Sequence, residues 1–262
     1  MFNAGPNSIL AHVMRSGMFS DLMFVCNHEE FRVHKVIVCG HSPMINAAVT
    51  GGFVESRSNV IAMHNFKPDT VRRLVQFMYM GFYDVGNNDC WGGNALFFIL
   101  EHVQVNAIGD YYGITNLVSF ANSKIKRLLQ TNFEYEFWAN SFPVVIAAAL
   151  ESTGDRELLD MLAMAVTAKM SILVQSPSFQ RLNAMPEFSI KILQGCAQRI
   201  SALEQRLQEM EMRFGSECGR VLQSRPKGWE YTVCFPDFDQ NGRCRQVPGE
   251  IRFGVWAARR LG

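Results

Sequence analysis

The sequence predicts an α+β chain: a small sheet with clustered helices, then an all-helical extension, then a small β-rich C-terminal tail. Three observations point there. Short apolar runs bounded by turn residues fall within the first 65 positions. Apolar residues spaced by three and four dominate from position 67 to 214. Strict alternation returns at Trp229. The parts are drawn as an N-terminal segment over 1–17, a mixed domain over 18–130, a helical extension over 131–214 and a tail over 215–262.

Leu22-Met23-Phe24-Val25-Cys26 is an apolar run of strand length, Asn27-His28-Glu29-Glu30 a polar turn, and Phe31-Arg32-Val33 resumes in alternation. A tight hairpin is expected. Two short helices follow, the second opened by Ser42-Pro43, a capping residue with proline in the first helical position. Val60-Ile61-Ala62-Met63 completes a sheet drawn over 21–26, 31–33 and about 58–63. Lys67-Pro68-Asp69 opens a helix with Val71, Leu74, Val75, Met78 and Tyr79 on one face, and Gly81 stops it. Helices over 96–112 and 115–129 join at Gly113. Leu74, Phe77, Met78, Val103 and Ile108 are the expected core of this half.

Further helices are expected near 141–152, 155–174 and 187–214, separated by Gly154, Ser176-Pro177 and Met185-Pro186. In the last, Leu193, Cys196, Ile200, Leu203, Leu207, Met210 and Phe214 step by three and four. That is a short heptad seam, serving either self-association or packing onto the chain's own domain. In the tail, Trp229, Tyr231, Val233 and Phe235 alternate with polar or small residues, as do Ile251, Phe253 and Val255. Asn241-Gly242 between them signals a hairpin.

Composition narrows the function. Apolar residues make up 48% and charged residues 19%, an ordinary globular balance. The net charge of +1 supplies no global field for nucleic acid or an anionic membrane. It is uneven: residues 1–217 carry 17 Lys/Arg against 20 Asp/Glu, and residues 218–262 carry 8 against 4. No apolar run reaches 18 residues, and the best candidate, 161–174, is interrupted by Thr167 and Lys169, so no membrane span is expected. The N-terminus lacks the basic start and apolar stretch of a secretory signal. Seven scattered cysteines without a C-x-x-C fit a reducing compartment, cytoplasm or nucleus. Cys26 and Cys39 lie in apolar runs as small hydrophobes.

The catalytic and metal motifs are near misses. There is no G-x-x-x-x-G-K-[ST] and no G-x-G-x-x-G to cradle a phosphate. Gly40-His41-Ser42-Pro43-Met44 lacks the last glycine of a nucleophile elbow, and Ser42 reads better as a helix cap. His28-Glu29 has no histidine one turn on. Asp237, Asp239, Asn241 and Gly242 fit the start of a calcium loop, but Pro248 stands where the bidentate glutamate belongs. Cys218, Cys234 and Cys244 have no tight pair and no downstream histidine for zinc. No catalytic group, metal or cofactor is expected.

The first half resembles a BTB (POZ) domain. Ser20-Asp21-Leu22-Met23-Phe24-Val25 is similar to that family's "SD-apolar" strand, and Phe31-Arg32-Val33-His34-Lys35 to its "F-x-x-H-K". Ser42-Pro43 matches its helix opening, and FKPDTVRRLVQFMYMGFY over 66–83 its helix ending in "Y-x-G-x-Y". HVQVNAIGDYYGITNL over 102–117 resembles its "V-x-x-A-x-Y-G-I-x-x-L" helix pair. Gly51-Gly52-Phe53-Val54-Glu55-Ser56 is similar to the "GG-F-x-E-S" of a group common in fungi, whose helical extension residues after 130 also resemble. Met44 and Asn46 depart from the family's aromatics after "S-P", and Gly109-Asp110-Tyr111-Tyr112 replaces "A-D-K-Y".

The resemblance implies a non-enzymatic protein-interaction module that self-associates, as a homodimer, or binds partners. Phe53-Val54-Glu55 is expected as an exposed loop, and in relatives that recruit a cullin ubiquitin-ligase scaffold an "apolar-x-Glu" stands there. That implies Phe53, Glu55 and Met44 as protein-binding positions in a substrate adaptor; the alternative is a locally packed phenylalanine beside a solvated glutamate. Asp21 and Lys35 match a charged pocket of some dimeric relatives, or else form an ordinary surface pair. His34 reads as a boundary residue satisfying backbone groups, and Met78, Tyr79 and Phe82 as core. A transcriptional or chromatin regulator assembled through the BTB domain is the alternative function. The basic tail is a weak footprint for nucleic acid, with no zinc-finger spacing.

Overall fold

A first helix, α1 (Ile9–Ser16), buries Ala11 in the core beneath the sheet. In β1 (Leu22–Cys26), Leu22, Phe24 and Cys26 point inward, while Met23 and Val25 are half-buried. β2 (Glu29–Val33) pairs antiparallel with Cys26 opposite Glu29, and β3 (Val60–Ala62) pairs parallel with Phe24 opposite Ile61. The order is β2-β1-β3. The parallel pair requires a crossover, supplied by α2 (Lys35–His41), α3 (Pro43–Thr50) and α4 (Val54–Ser58). This computed structural model describes residues 9–86, 95–130, 137–180, 186–223, 229–232 and 257–260.

The hairpin is tighter than four polar residues suggest. Glu29 and Glu30 join β2, leaving Asn27-His28 as the turn, with Asn27 at φ 55. Both glutamates are exposed on an edge strand, where polar side chains do not oppose pairing.

Beyond β3, α5 (Pro68–Met80) ends at Gly81, and α6 (Ala95–Tyr111) and α7 (Thr115–Leu129) form a hairpin turning at Gly113. Leu74, Phe77, Met78, Val103 and Ile108 are all buried, as their spacing requires. Ser42 fixes α3 at both ends of its hydroxyl. Its Oγ accepts from Ile45 N at 3.0 Å and donates to the Tyr112 carbonyl at 2.6 Å.

The described part of 131–214 contains helices and connecting turns, with no strand among the described residues. A one-turn π-helix, Phe137–Ser141, leads into α8 (Phe142–Ser152), followed by α9 (Arg156–Ala168), α10 (Met170–Leu173), α11 (Pro177–Gln180) and α12 (Pro186–Gln223). The single helix expected over 155–174 is broken at Lys169, whose backbone leaves the helical region (φ −114, ψ 17). Its ammonium sits 5.2 Å from the Trp138 ring centroid. The last helix continues through Gly215 and Gly219 to Gln223, past the expected end at 214. Two glycines cost a helix less than one proline, and the next proline is Pro226.

The chain divides into two compact units, Met1–Ala197 and Gln198–Gly262. In the second, β4 (Trp229–Thr232) pairs antiparallel with β5 (Ala257–Arg260), Trp229 opposite Arg260. These two short strands do not support a β-rich character for the tail as a whole, and α12 occupies its first nine positions. Ile251, Phe253, Val255 and Asn241-Gly242 lie outside the described residues.

The first unit has two hydrophobic cores. The sheet core joins Phe24, Val33, Ile45, Leu74 and Phe77 to Ile108, Tyr112, Ile114 and Leu117 at the closed end of the α6–α7 hairpin. The helical core joins Ile99, Val103 and Ile125, at the open end, to Trp138, Phe142, Ile146, Leu162 and Phe188. Between them lies His102 on α6, its Nδ1 2.7 Å from the Tyr83 hydroxyl. The nearly buried Arg73–Glu101 ion pair crosses from α5 to α6 in the same region.

Burial, then the charges of Lys124, Arg73 and Arg127, lower the His102 pKa to about 3 from its ordinary 6.5. The unfolded chain therefore takes up a proton near pH 6.5 that the folded chain refuses until far lower pH. Stability from this group is full above the unfolded value and falls with acidification, by up to about 1.4 kcal/mol per pH unit. Urea unfolding of wild type and His102→Gln from pH 7 to 4 should show the wild type losing stability faster. A pH-independent difference contradicts the assignment.

Candidate protein-interaction site

The site grows from two glycines after α3. A Cβ on Gly51 would lie 2.6 Å from the Ala47 carbonyl oxygen and 2.8 Å from Phe53 Cε2, so only hydrogen fits. Gly52 sits at φ +77, which side chains rarely adopt. The chain then turns out, leaving Phe53 61% and Val54 74% exposed. Phe53-Val54-Glu55 is not a loop, as the sequence suggested, but the start of α4. The Phe53 carbonyl accepts from Ser56 Oγ at 2.7 Å and Ser56 N at 3.2 Å. Asn59 ends that helix in the left-handed region, donating to the Glu55 carbonyl at 2.9 Å. A single helical turn, closed by the Asn59 N–H on the Glu55 carbonyl, stands where a loop was expected.

Glu55 is half-buried in the first turn of α4. Met44 is exposed in the first turn of α3, its Cγ 3.9 Å from where a Gly113 Cβ would stand. Met44 lies six helical steps, about 9 Å, before Thr50, near the start of α3, and Phe53 lies beyond its end.

Asp21 and Lys35 do come together, but not as an ion pair. Asp21 Oδ1 accepts from the Lys35 backbone N–H at 2.7 Å, satisfying a free donor at the start of α2. The Lys35 ammonium goes instead to Asn59 Oδ1, at 2.6 Å. This ties α2 to the end of α4. His34 is buried beside them: its Nε2 donates to the Met18 carbonyl at 2.7 Å, and its Nδ1 lies 2.6 Å from the Tyr79 hydroxyl. That hydroxyl also accepts from His34 N at 2.9 Å, and burial pushes the Tyr79 pKa up to about 12.

Two residues near this cluster were missed by sequence reasoning. Phe19, at φ 63, and Val36, in the first turn of α2, are among the most exposed large apolar side chains described. Their only sequence signal is an apolar residue at an element boundary, which does not by itself distinguish burial from display.

Among the described residues no three His, Cys, Asp or Glu side chains are grouped to hold a metal ion. Cys26 is buried, donating to the Phe66 carbonyl at 3.1 Å, and burial followed by the Glu29 charge raises its pKa. No described helix is long and apolar enough to cross a membrane. Asp237, Asp239, Cys234 and Cys244 lie outside the described residues.

Residues 10–128 match the family model of the BTB/POZ domain. The chain is 29% identical over 101 residues to Kelch-like protein 17 of Mus musculus, a match covering 38% of this chain and 15% of that protein. With TD and POZ domain-containing protein 4 of Mus musculus it shares 24% over 136 residues, covering 52% of this chain and 32% of that one. The BTB domain of zebrafish PATZ1 aligns in structure with a TM-score of 0.35 and 17% identity, over 45% of this chain and 86% of that one. The family match places a BTB/POZ domain at residues 10–128 of this chain. The match begins within α1.

If Phe53 is displayed rather than packed, removing it should leave the fold intact. Phe53→Ala should change unfolding free energy by less than about 0.5 kcal/mol. Gly51→Val, which collides with the Ala47 carbonyl, should cost about 1–3 kcal/mol. Chemical denaturation of both variants checks this pair.

Proposed function

We propose that this chain is a non-enzymatic assembly protein whose BTB/POZ domain binds protein partners through the α3–α4 face: Met44, Phe53, Val54 and Glu55. The observation that carries this reading is the outward Phe53-Val54 pair beside Glu55, held by Gly51, Gly52 and Asn59. An exposed aromatic with an adjacent acid suits a partner that offers an apolar pocket rimmed by a basic residue. The match to the BTB/POZ family supports the same class of function.

The finer reading is a substrate adaptor for a cullin-based ubiquitin ligase, with the tail from Cys218 reading the substrate and the protein acting in the cytoplasm or nucleus. The resemblance of Gly51-Gly52-Phe53-Val54-Glu55-Ser56 to the fungal group's pattern supports that placement. Asp21 and Lys35, with exposed Phe19 and Val36 beside them, are the proposed face for BTB self-association.

Affinity purification of the full chain, with mass spectrometry of bound proteins, tests the adaptor reading. A cullin scaffold should be recovered with wild type and reduced about tenfold or more with Phe53→Ala or Glu55→Lys. Equal recovery with both variants removes the role of this face.

A further inference from the structure

α12 changes character along its length. At its start it docks: Phe188 and Ile192 are buried in the helical core, and a Cβ on Gly195 would come within 2.6 Å of Thr167 Oγ1. Further on, Ile200, Leu203, Leu207 and Met210 form an apolar stripe, each more than half exposed. Heptad numbering puts Ile200, Leu207 and Phe214 at a, with Leu203 and Met210 at d. Ile200 at a followed by Leu203 at d is a pairing that favours two strands.

The flanking charges are segregated by position. Arg199, Arg206 and Arg213 occupy every g, while Glu204 and Glu211 occupy the e positions between them. In a parallel, in-register pair, each g residue faces the e residue five positions further on in the other helix. Arg199 then meets Glu204 of a second copy, and Arg206 meets Glu211, on both sides of the seam. An antiparallel pair would set g against g and e against e, arginine against arginine and glutamate against glutamate. One pattern is attractive throughout and the other repulsive throughout.

We infer that α12 from about Arg199 onward forms a parallel, two-stranded, in-register coiled coil between two copies of this chain. Its occupant is a second copy because the charges of this one sequence complement themselves. It stands on α12 alone and is independent of the Phe53–Glu55 surface.

The test uses the full chain carrying Leu203→Cys as a reporter. Parallel in-register d positions face each other, so mild oxidation should give a dimer with a 203-to-203 disulfide, mapped by mass spectrometry. Adding Glu204→Arg with Glu211→Arg makes both flanks positive and should cut that cross-link at least about tenfold. Arg199→Glu with Arg206→Glu makes both flanks negative and should do the same. Mixing the two charge variants should restore the cross-link, which also shows that each is folded. A parent that gives no 203-to-203 disulfide, charge variants that cross-link as well as the parent, or a mixture that fails to recover it would each overturn the inference.

Discussion

Asp155 is the point at which three helices of the first unit are tied together. Its Oδ2 accepts from Asn106 Nδ2 on α6 and Asn122 Nδ2 on α7, each at 2.8 Å, while its two oxygens cap α9 through Leu158 N and Glu157 N. Asp110, a turn further along α6, accepts from Gly154 N and Thr153 Oγ1 just before it. Removing this carboxylate would leave two buried amides short of an acceptor and an uncapped helix, a combined cost of about 2–4 kcal/mol. The constraint matters because α6 and α7 serve the sheet core at their closed end and the helical core at their open end. Neither core has a wall of its own at that boundary. The helical extension is therefore part of the scaffold that holds the BTB/POZ domain, not an appendage strung behind it.

The interaction surface depends on that scaffold in a direct way. Ser42 hangs the start of α3 from the end of α6 through the Tyr112 carbonyl. α3 then runs to Gly51-Gly52, whose lack of side chains permits the turn that exposes Phe53. Lys35 and Asn59 fasten the far end of α4 to α2. A side chain displayed this way loses little further freedom on binding, which is how a small exposed apolar patch yields useful affinity.

Much of this was legible in the sequence because periodicity is a direct record of burial. β1 is an apolar run of strand length, α5 repeats at three and four, and Pro68, Gly81, Gly113 and Pro186 mark boundaries the backbone obeys. The departures are local contests that periodicity does not record. Glu29 and Glu30 enter an edge strand despite their charge, and residues 54–58 close a one-turn helix where a loop was expected. Lys169 interrupts a helix to reach Trp138. The Asn106–Asn122–Asp155 network was invisible for a different reason. Three polar residues far apart in sequence become one structure only when two helix faces and a cap converge.

Display of Phe53 was likewise implied by family resemblance rather than by composition. A phenylalanine after two glycines reads equally as packed or exposed, and only the geometry at Gly51 decides it. The residues of α12 are the opposite case, since spacing gives the seam and the exposure of Ile200, Leu203, Leu207 and Met210 leaves it open.

Hydrogen exchange read by mass spectrometry on wild type and Asp155→Ala tests the sharing of α6 and α7 most directly. If the two cores open as one unit, amides in β1 and in α8 should lose protection together, each by about 2–4 kcal/mol, although Asp155 touches neither element. Loss confined to α8 and α9, with β1 as protected as in wild type, would show that the cores open separately and would contradict the shared wall.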